Sequence, residues 1–437
     1  MAEAIMSEHF QNRKPSPIRA AQLSFLDRKD KIDDVNVAIG NVSLPMHPAM
    51  TKRMRTLGEG ESPFKDGVVR YSLTAGRPDT RETFLHVLRS SGLSTDGLHV
   101  QITDGGSCAM EVAELGTIGP AGGSEGPLLL IDAAYTNYRA FAKRLGKTTI
   151  SVCRILGDDG KFTLPAVDEI EETITRHKPS AVVVIPFDNP TGQFYEQESL
   201  NDLARLCVKY NMWMISDEAY RELQYTDSKT SSMWAITEKD VPGIFGRRIG
   251  IETTSKVWNA CGLRIGALIT DNEEWHRKAV AEYTANLCAS HIGQWIFAAI
   301  ANESHGDLQA WYKKQRDYYR DMLFAFTSSM KKLLPGVIVS SPDAAIYSVV
   351  DVRNIAKSGF NAMDFVLYSA SEGAVELNGK RHTLLTAPMA GFYSIPDGKP
   401  NPGRTQMRIS YVETPERMAL VPPLFAELFR QFEDGRG

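Results

Sequence analysis

The chain has little of what would mark a secreted, metal-bound or membrane-embedded protein. Its 437 residues include five cysteines, Cys108, Cys153, Cys207, Cys261 and Cys288. The number is odd and no CxxC pair occurs, so neither a disulfide framework nor a thiolate zinc site is indicated. No charge of one sign dominates: 49 Lys and Arg stand against 53 Asp and Glu, a net charge of −4. That balance argues against a nucleic-acid partner or an anionic membrane surface. No apolar run approaches the roughly 20 residues of a membrane span, and Ala181-Val-Val-Val-Ile-Pro186 is far too short. Met1 to Arg13 is polar and lacks the apolar core of a signal peptide. A reducing cytoplasmic location is therefore expected. Internal repeats and long low-complexity tracts are also missing.

What is present suits a globular protein. Hydrophobic residues make up 43% and charged residues 23%, enough to bury a core of good size. The length allows two or three domains, or one large domain with a smaller companion. Gly58–Ser62, Gly119–Gly126 and Ile395–Gly403 read as loops. From about residue 100 to 300, short apolar runs alternate with helical patterns. Leu128–Asp132, Ala181–Ile185, Trp213–Asp217 and Ile265–Ile269 read as buried strands. Ala109–Leu115, Pro165–His177 and Gln197–Tyr210 read as helices. This alternation predicts an α/β fold with a mostly parallel sheet covered by helices on both faces. Functional residues should gather where strands end and helices begin. Beyond about residue 273 the pattern turns helical. A helix over His305–Leu334 should stop at Pro335-Gly336. Strands follow at Val337–Ser340, Ile346–Asp351 and Gln406–Tyr411, then a last helix over Glu413–Gln431. This tail reads as a small α+β domain.

Several short motifs carry chemistry. In Thr253-Thr254-Ser255-Lys256, an amine is flanked by hydroxyls, and Arg264 follows between Leu263 and Ile265. A lysine can take up an aldehyde as a Schiff base. Hydroxyls and a guanidinium can hold a phosphate. Ile102-Thr-Asp-Gly-Gly-Ser-Cys-Ala109 runs from strand to helix through two glycines. It is either a phosphate cradle of backbone N–H groups or a glycine turn with a serine cap. Asp188-Asn-Pro-Thr-Gly192 is a turn directly after a buried strand. Asp217 ends an apolar strand, where a carboxylate is costly unless paired. A pyridinium nitrogen or an ordinary salt bridge would serve. Tyr71–Arg81 reads as a loop and helix start. Arg408, in a late strand, is either a carboxylate clamp or an edge residue.

The order of these motifs resembles the fold-type I enzymes that use pyridoxal 5′-phosphate (PLP), and among them the class I/II aminotransferases, the aspartate aminotransferase-like family. The resemblance starts at Ser16-Pro-Ile-Arg19 and Asn36-Val-Ala-Ile-Gly40 and covers nearly the whole chain. It implies a large PLP-binding domain over 45–300 and a small domain built from 1–44 and 301–437. It implies that Lys256 holds PLP as a Schiff base and then shuttles the substrate proton. Asp217 would pair with the pyridine nitrogen and keep the ring an electron sink. Asn189 and Tyr220 would donate to its phenolic oxygen, and Tyr135 would stack on it. The phosphate would be held by Gly106, Ser107, Cys108, Thr253, Ser255 and Arg264. Tyr71 would reach the phosphate of a neighbouring subunit in a homodimer. Arg408, helped by Gly40 and Asn189, would grip the substrate α-carboxylate.

Two stretches depart from the family pattern, Asp343-Ala-Ala-Ile-Tyr347 and Pro388-Met-Ala-Gly-Phe392. Both fall where the substrate side chain sits in relatives. No arginine occurs between Ala279 and Ala310, which weakens a dicarboxylate-only reading. The expected activity is amino transfer between an L-amino acid and a 2-oxo acid. A PLP-dependent β-lyase or decarboxylase on the same scaffold is the first rival. The second is a non-catalytic PLP or amino-acid binding module, which the retained lysine, aspartate and arginine argue against.

Overall fold

The computed structural model describes residues 4–13, 15–395 and 398–435. The start of the polar N-terminal segment, Pro396 and Asp397 of the predicted Ile395–Gly403 loop, and the last two positions of the predicted small domain lie outside the described residues. At the centre is a seven-stranded sheet. Its order is His99–Thr103, Gly266–Thr270, Arg248–Thr253, Trp213–Asp217, Ala181–Val184, Leu128–Asp132 and Thr149–Cys153. The run from Arg248–Thr253 to Thr149–Cys153 is parallel throughout. Gly266–Thr270 is antiparallel to both of its neighbours.

The sheet is mostly parallel because its inner strands are apolar on both faces. Leu128 and Leu130 pack with Ala109, Ala113 and Tyr138 on one side. Leu129 and Ile131 point the other way, toward Ile170, Ile174 and Leu203. Each face therefore buries against its own helices, Gly106–Ile118 and Thr136–Arg144 on one side, Val167–His177 and Gln197–Lys209 on the other.

Some boundaries differ from the sequence-based expectation. The helix read as Ala109–Leu115 spans Gly106–Ile118. It starts early because Gly105, at φ 80°, turns the chain straight from strand into helix. Two strands of the seven-stranded sheet escaped the pattern, Thr149–Cys153 and Arg248–Thr253. The second is fully buried yet carries two charges. Arg248 pairs with Asp271 at 2.7 Å, and Glu252 pairs with Arg221 at 3.1 Å. The long helix His305–Leu333 begins at a Ser304–Asp307 capping box.

A second sheet is antiparallel, in the order Ile338–Val339, Tyr347–Asp351, Gln406–Ser410 and Ala387–Pro388. A third joins the two ends of the chain: Asp33–Asn36 pairs in parallel with Lys380–Leu385, which pairs with Val375–Leu377. The last helix is not continuous over Glu413–Gln431. It divides into Pro415–Met418 and Val421–Asp434. Pro422 and Pro423 lack the N–H groups that would bond back to the preceding turn, so the second helix has to start there. All five cysteines are free. Among the described residues no helix is long and apolar enough to cross a membrane, and no group of side chains could hold a metal ion.

Candidate active site

A cleft of about 440 Å³ opens at the carboxyl edge of the large sheet. Asp217 and Thr253 each end a strand that feeds it, and Gly106 starts the helix that faces it. A larger groove of about 970 Å³ runs past His47, Lys52, Trp295 and Trp311, but it contains none of the residues predicted to carry chemistry.

Lys256 enters the cleft just past the Arg248–Thr253 strand. Its amine donates to the Gly40 carbonyl. A side chain at Gly40 would collide with the Tyr347 hydroxyl and come within 3.2 Å of the Lys256 nitrogen, so the backbone approach requires glycine. Asp217 faces the amine across the cleft. Its carboxylate accepts from the Tyr138 hydroxyl at 2.7 Å and from the Ala219 N–H at 3.1 Å. Burial raises its pKa, while Tyr138, the Ala219 N–H and the Lys256 charge pull the other way. No cationic side chain forms a salt bridge with it among the described residues, so the salt-bridge alternative read from sequence falls away.

Arg408 is 3% exposed and reaches in from the Gln406–Ser410 strand. It donates to Asn189 Oδ1 at 2.9 Å and to the Ala38 carbonyl at 2.7 Å, and its Nε has no partner. Its guanidinium lies 4.6 Å from the Tyr347 ring centre and 5.2 Å from that of Phe392. It is a buried clamp with N–H donors to spare, not an edge residue. Asn189 rides on a turn pinned by buried Arg154, which ion-pairs with Asp188 and donates to Thr191 Oγ1 at 3.3 Å. Asn189 Nδ2 meets the Tyr220 hydroxyl at 3.4 Å.

The other end of the cleft is a cradle of donors. Thr253 Oγ1 and Ser255 Oγ lie 2.8 Å apart. Arg264 donates to the carbonyls of Cys261 at 3.0 Å and Asp104 at 3.3 Å, and its guanidinium fills the space a side chain at Gly105 would need. Gly106 and Ser107 offer free N–H groups at a helix start, a standard anion site. Cys108 does not line the cleft; its side chain packs into the core behind, and burial raises the thiol pKa. Tyr135 forms one wall, edge-to-face with Tyr138, and burial pushes its hydroxyl up to about 12. Tyr71 lies outside this cleft and is 76% exposed.

Sequence reasoning missed several residues here. Tyr138 sits three positions after Tyr135 at a helix start, so the two share a face. Tyr347 and Phe392 belong to the two departing stretches. Ile18, Arg19 and Ile39 complete the mouth.

Fold and cleft together define an enzyme that acts on small anionic molecules through a lysine amine. Comparison with known proteins narrows that class. Residues 35–401 match the family model of aminotransferase class I and II, and the chain belongs to that family. It is 25% identical over 367 residues to the aspartate/prephenate aminotransferase of Thermus thermophilus, covering 83% of this chain and 88% of that one. Solved structures agree on the fold. A Thermus thermophilus aspartate aminotransferase mutant superposes with a TM-score of 0.79 at 21% identity, over 98% of this chain and all of that one. A Pyrococcus horikoshii kynurenine aminotransferase in complex with PMP gives 0.78 at 19% identity, over 98% and 97%. The protein is an aminotransferase, and its cofactor is pyridoxal 5′-phosphate.

Proposed function

We propose that this aminotransferase moves an amino group from an L-amino acid to a 2-oxo acid in the cleft between Lys256, Asp217 and Arg408. The observation that carries the reading is their convergence: amine, half-buried carboxylate and buried guanidinium come from three distant stretches and share one cleft. The donor set fits pyridoxal 5′-phosphate. Gly106, Ser107, Thr253, Ser255 and Arg264 suit its phosphate, with Cys108 contributing at most its N–H. Asp217, half-buried and without a salt bridge among the described residues, suits a protonated ring nitrogen. Tyr135 gives the ring a flat wall, and Tyr220 with Asn189 suits its phenolic oxygen.

When bound, the cofactor supplies an aldehyde for the amino group and a ring that withdraws electrons from the α-carbon. The chain's residues do the rest. Arg408 grips the α-carboxylate with two parallel hydrogen bonds and orients the α-C–H bond. Lys256 Nζ takes the proton from that carbon and later returns a proton to the product. Asp217 would pair with a protonated ring nitrogen of the cofactor, with Tyr138 holding the carboxyl group in place. Ile18, Ile39 and Phe392 exclude water around the substrate side chain, and Arg19 adds a positive charge at the mouth, which favours donors with an acidic end.

We further infer a large unit over 45–300 and a small unit from 1–44 and 301–437. The seven-stranded sheet within 99–270 and the chain-end pairing of Asp33–Asn36 with Lys380–Leu385 support it. A homodimer completes the cleft with Tyr71 of the partner subunit. Val68, Val69, Tyr71 and Leu73 form an exposed apolar run, 50% to 76% accessible, that a second copy would cover. Five free cysteines suit the cytoplasm.

The test is Lys256→Ala with a donor panel of aspartate, glutamate and aromatic amino acids. The native protein should lose its visible cofactor band when a donor is added alone and regain it with a 2-oxo acid. The variant should keep its fold by circular dichroism and lose turnover by at least about 10³-fold. Pyruvate released from a donor without any acceptor, or undiminished turnover in the variant, would overturn the reading.

A further inference from the structure

Tyr347 is almost fully buried at the start of the Tyr347–Asp351 strand, with its hydroxyl 2.8 Å from that of Tyr220. The two rings meet edge-to-face, 5.6 Å between centres. Either hydroxyl could be the donor of this bond, and the surrounding groups decide which.

Arginine can only donate, so the bond from Arg408 Nη1 fixes Asn189 Oδ1 as the acceptor. The Asn189 amide nitrogen then faces Tyr220 and can only donate to it. One lone pair of the Tyr220 oxygen is thus occupied. Both tyrosines line the cleft, and among the described residues the Tyr347 hydroxyl has no hydrogen-bond partner other than Tyr220. A buried hydroxyl proton with nowhere to go is costly. A Tyr220 hydroxyl that spends its single proton on the ring oxygen of the cofactor has none left for Tyr347, so Tyr347 has to be the donor of the bond they share.

We propose that Tyr347 is a positioning residue for Tyr220: it donates to the Tyr220 oxygen, fills its second lone pair and turns the Tyr220 proton into the cleft. A hydroxyl that accepts two hydrogen bonds is also a stronger donor. The idea rests on the reading above, in which Tyr220 donates to the ring oxygen of the cofactor. A ring oxygen stabilised as an anion lowers the proton affinity of the Lys256 nitrogen joined to the cofactor. Tyr347 should therefore lower the pH at which that nitrogen loses its proton, acting through Tyr220.

The experiment titrates the visible absorbance of cofactor-loaded protein against pH, without substrate, for the native chain, Tyr220→Phe, Tyr347→Phe and the double variant. Tyr347→Phe keeps the ring against Arg408 and removes only the hydroxyl. Its midpoint should rise by roughly half to one pH unit. Tyr220→Phe should raise it at least as far, and the double variant no further than Tyr220→Phe alone. An unmoved midpoint in Tyr347→Phe, with Tyr220→Phe shifted, overturns the role of Tyr347 and leaves that of Tyr220 standing. A Tyr347→Phe shift that persists undiminished without Tyr220 also overturns it, since the two would then act separately. An unmoved midpoint in Tyr220→Phe removes the reading beneath. Should Tyr347→Phe not fold, 3,5-difluorotyrosine at position 347 gives the opposite test. Its stronger donor should lower the midpoint, and a midpoint unchanged or raised overturns the proposal.

Discussion

Glu114 sits in the helix Gly106–Ile118 with no solvent exposure, and among the described residues its carboxyl has no side-chain partner, only the nearby Ala142 N–H. Burial, with Glu111 nearby, pushes its pKa up to about 9. Folded, it keeps its proton through neutral pH; unfolded, it loses it near the ordinary value of 4.5. Its contribution to stability is therefore complete below about pH 4.5 and lost as pH rises toward 9. Glu114→Leu should remove that dependence and raise stability at pH 8 by about 1–3 kcal/mol. Urea midpoints at pH 6 and pH 8 would show it, and a lower midpoint at pH 8 would mean that the Ala142 N–H outweighs the cost of burial. The sequence gives no warning of this residue, because a glutamate in an amphipathic helix normally faces water. Lys256, Asp217 and Arg408 were legible because each stands out locally: an amine among hydroxyls, a carboxylate ending an apolar strand, an arginine inside one. Tyr138 and Tyr347 were not. A buried tyrosine is ordinary core, and theirs are contacts with residues 79 and 127 positions away.

At the scale of elements, the cradle depends on how closely a strand passes a helix start. A Cβ at Gly266 would lie 2.5 Å from the Gly105 carbonyl carbon and 2.6 Å from the Gly106 nitrogen. Both are backbone atoms, so the start of the Gly106–Ile118 helix would have to move. Gly266→Ala should weaken retention of pyridoxal 5′-phosphate by about fivefold or more, the factor that 1–3 kcal/mol of overpacking implies. Equilibrium dialysis would measure it, with Gly262→Ala, which meets nothing within 4 Å, as the unaffected control. Equal retention in both variants would mean the helix start bears no part of the phosphate. The strand–turn–helix pattern here was readable, since glycine punctuation and apolar runs are local signals. The break before Pro422-Pro423 was readable in principle too, but helical spacing on both sides masks it. The strand Arg248–Thr253 was hidden by its own charges, whose partners come from other strands and turns.

At the scale of the whole molecule, local signals run out. Asp33–Asn36 is short and polar, and its parallel partner lies near the other end of the chain. Arg417, on the helix Pro415–Met418, ties the first strand to the end of the chain, donating to Asp33 at 3.0 Å and to the Asp34 carbonyl. No periodicity announces such a pairing; only the completed fold brings the two strands together. The same holds for Tyr71, which is exposed in one copy and stays outside that copy's cleft. If the partner subunit's Tyr71 completes the site, Lys256→Ala and Tyr71→Ala proteins should rescue each other. Each alone builds two defective clefts. A hybrid has one complete cleft, its lysine from the Tyr71→Ala chain and its tyrosine from the Lys256→Ala chain. Random reassociation makes half of the dimers hybrids, so the mixture should reach roughly a quarter of native turnover. Differently tagged chains, unfolded and refolded together, would allow the hybrid to be isolated and assayed. A hybrid no more active than its parents would place Tyr71 outside the chemistry of either cleft.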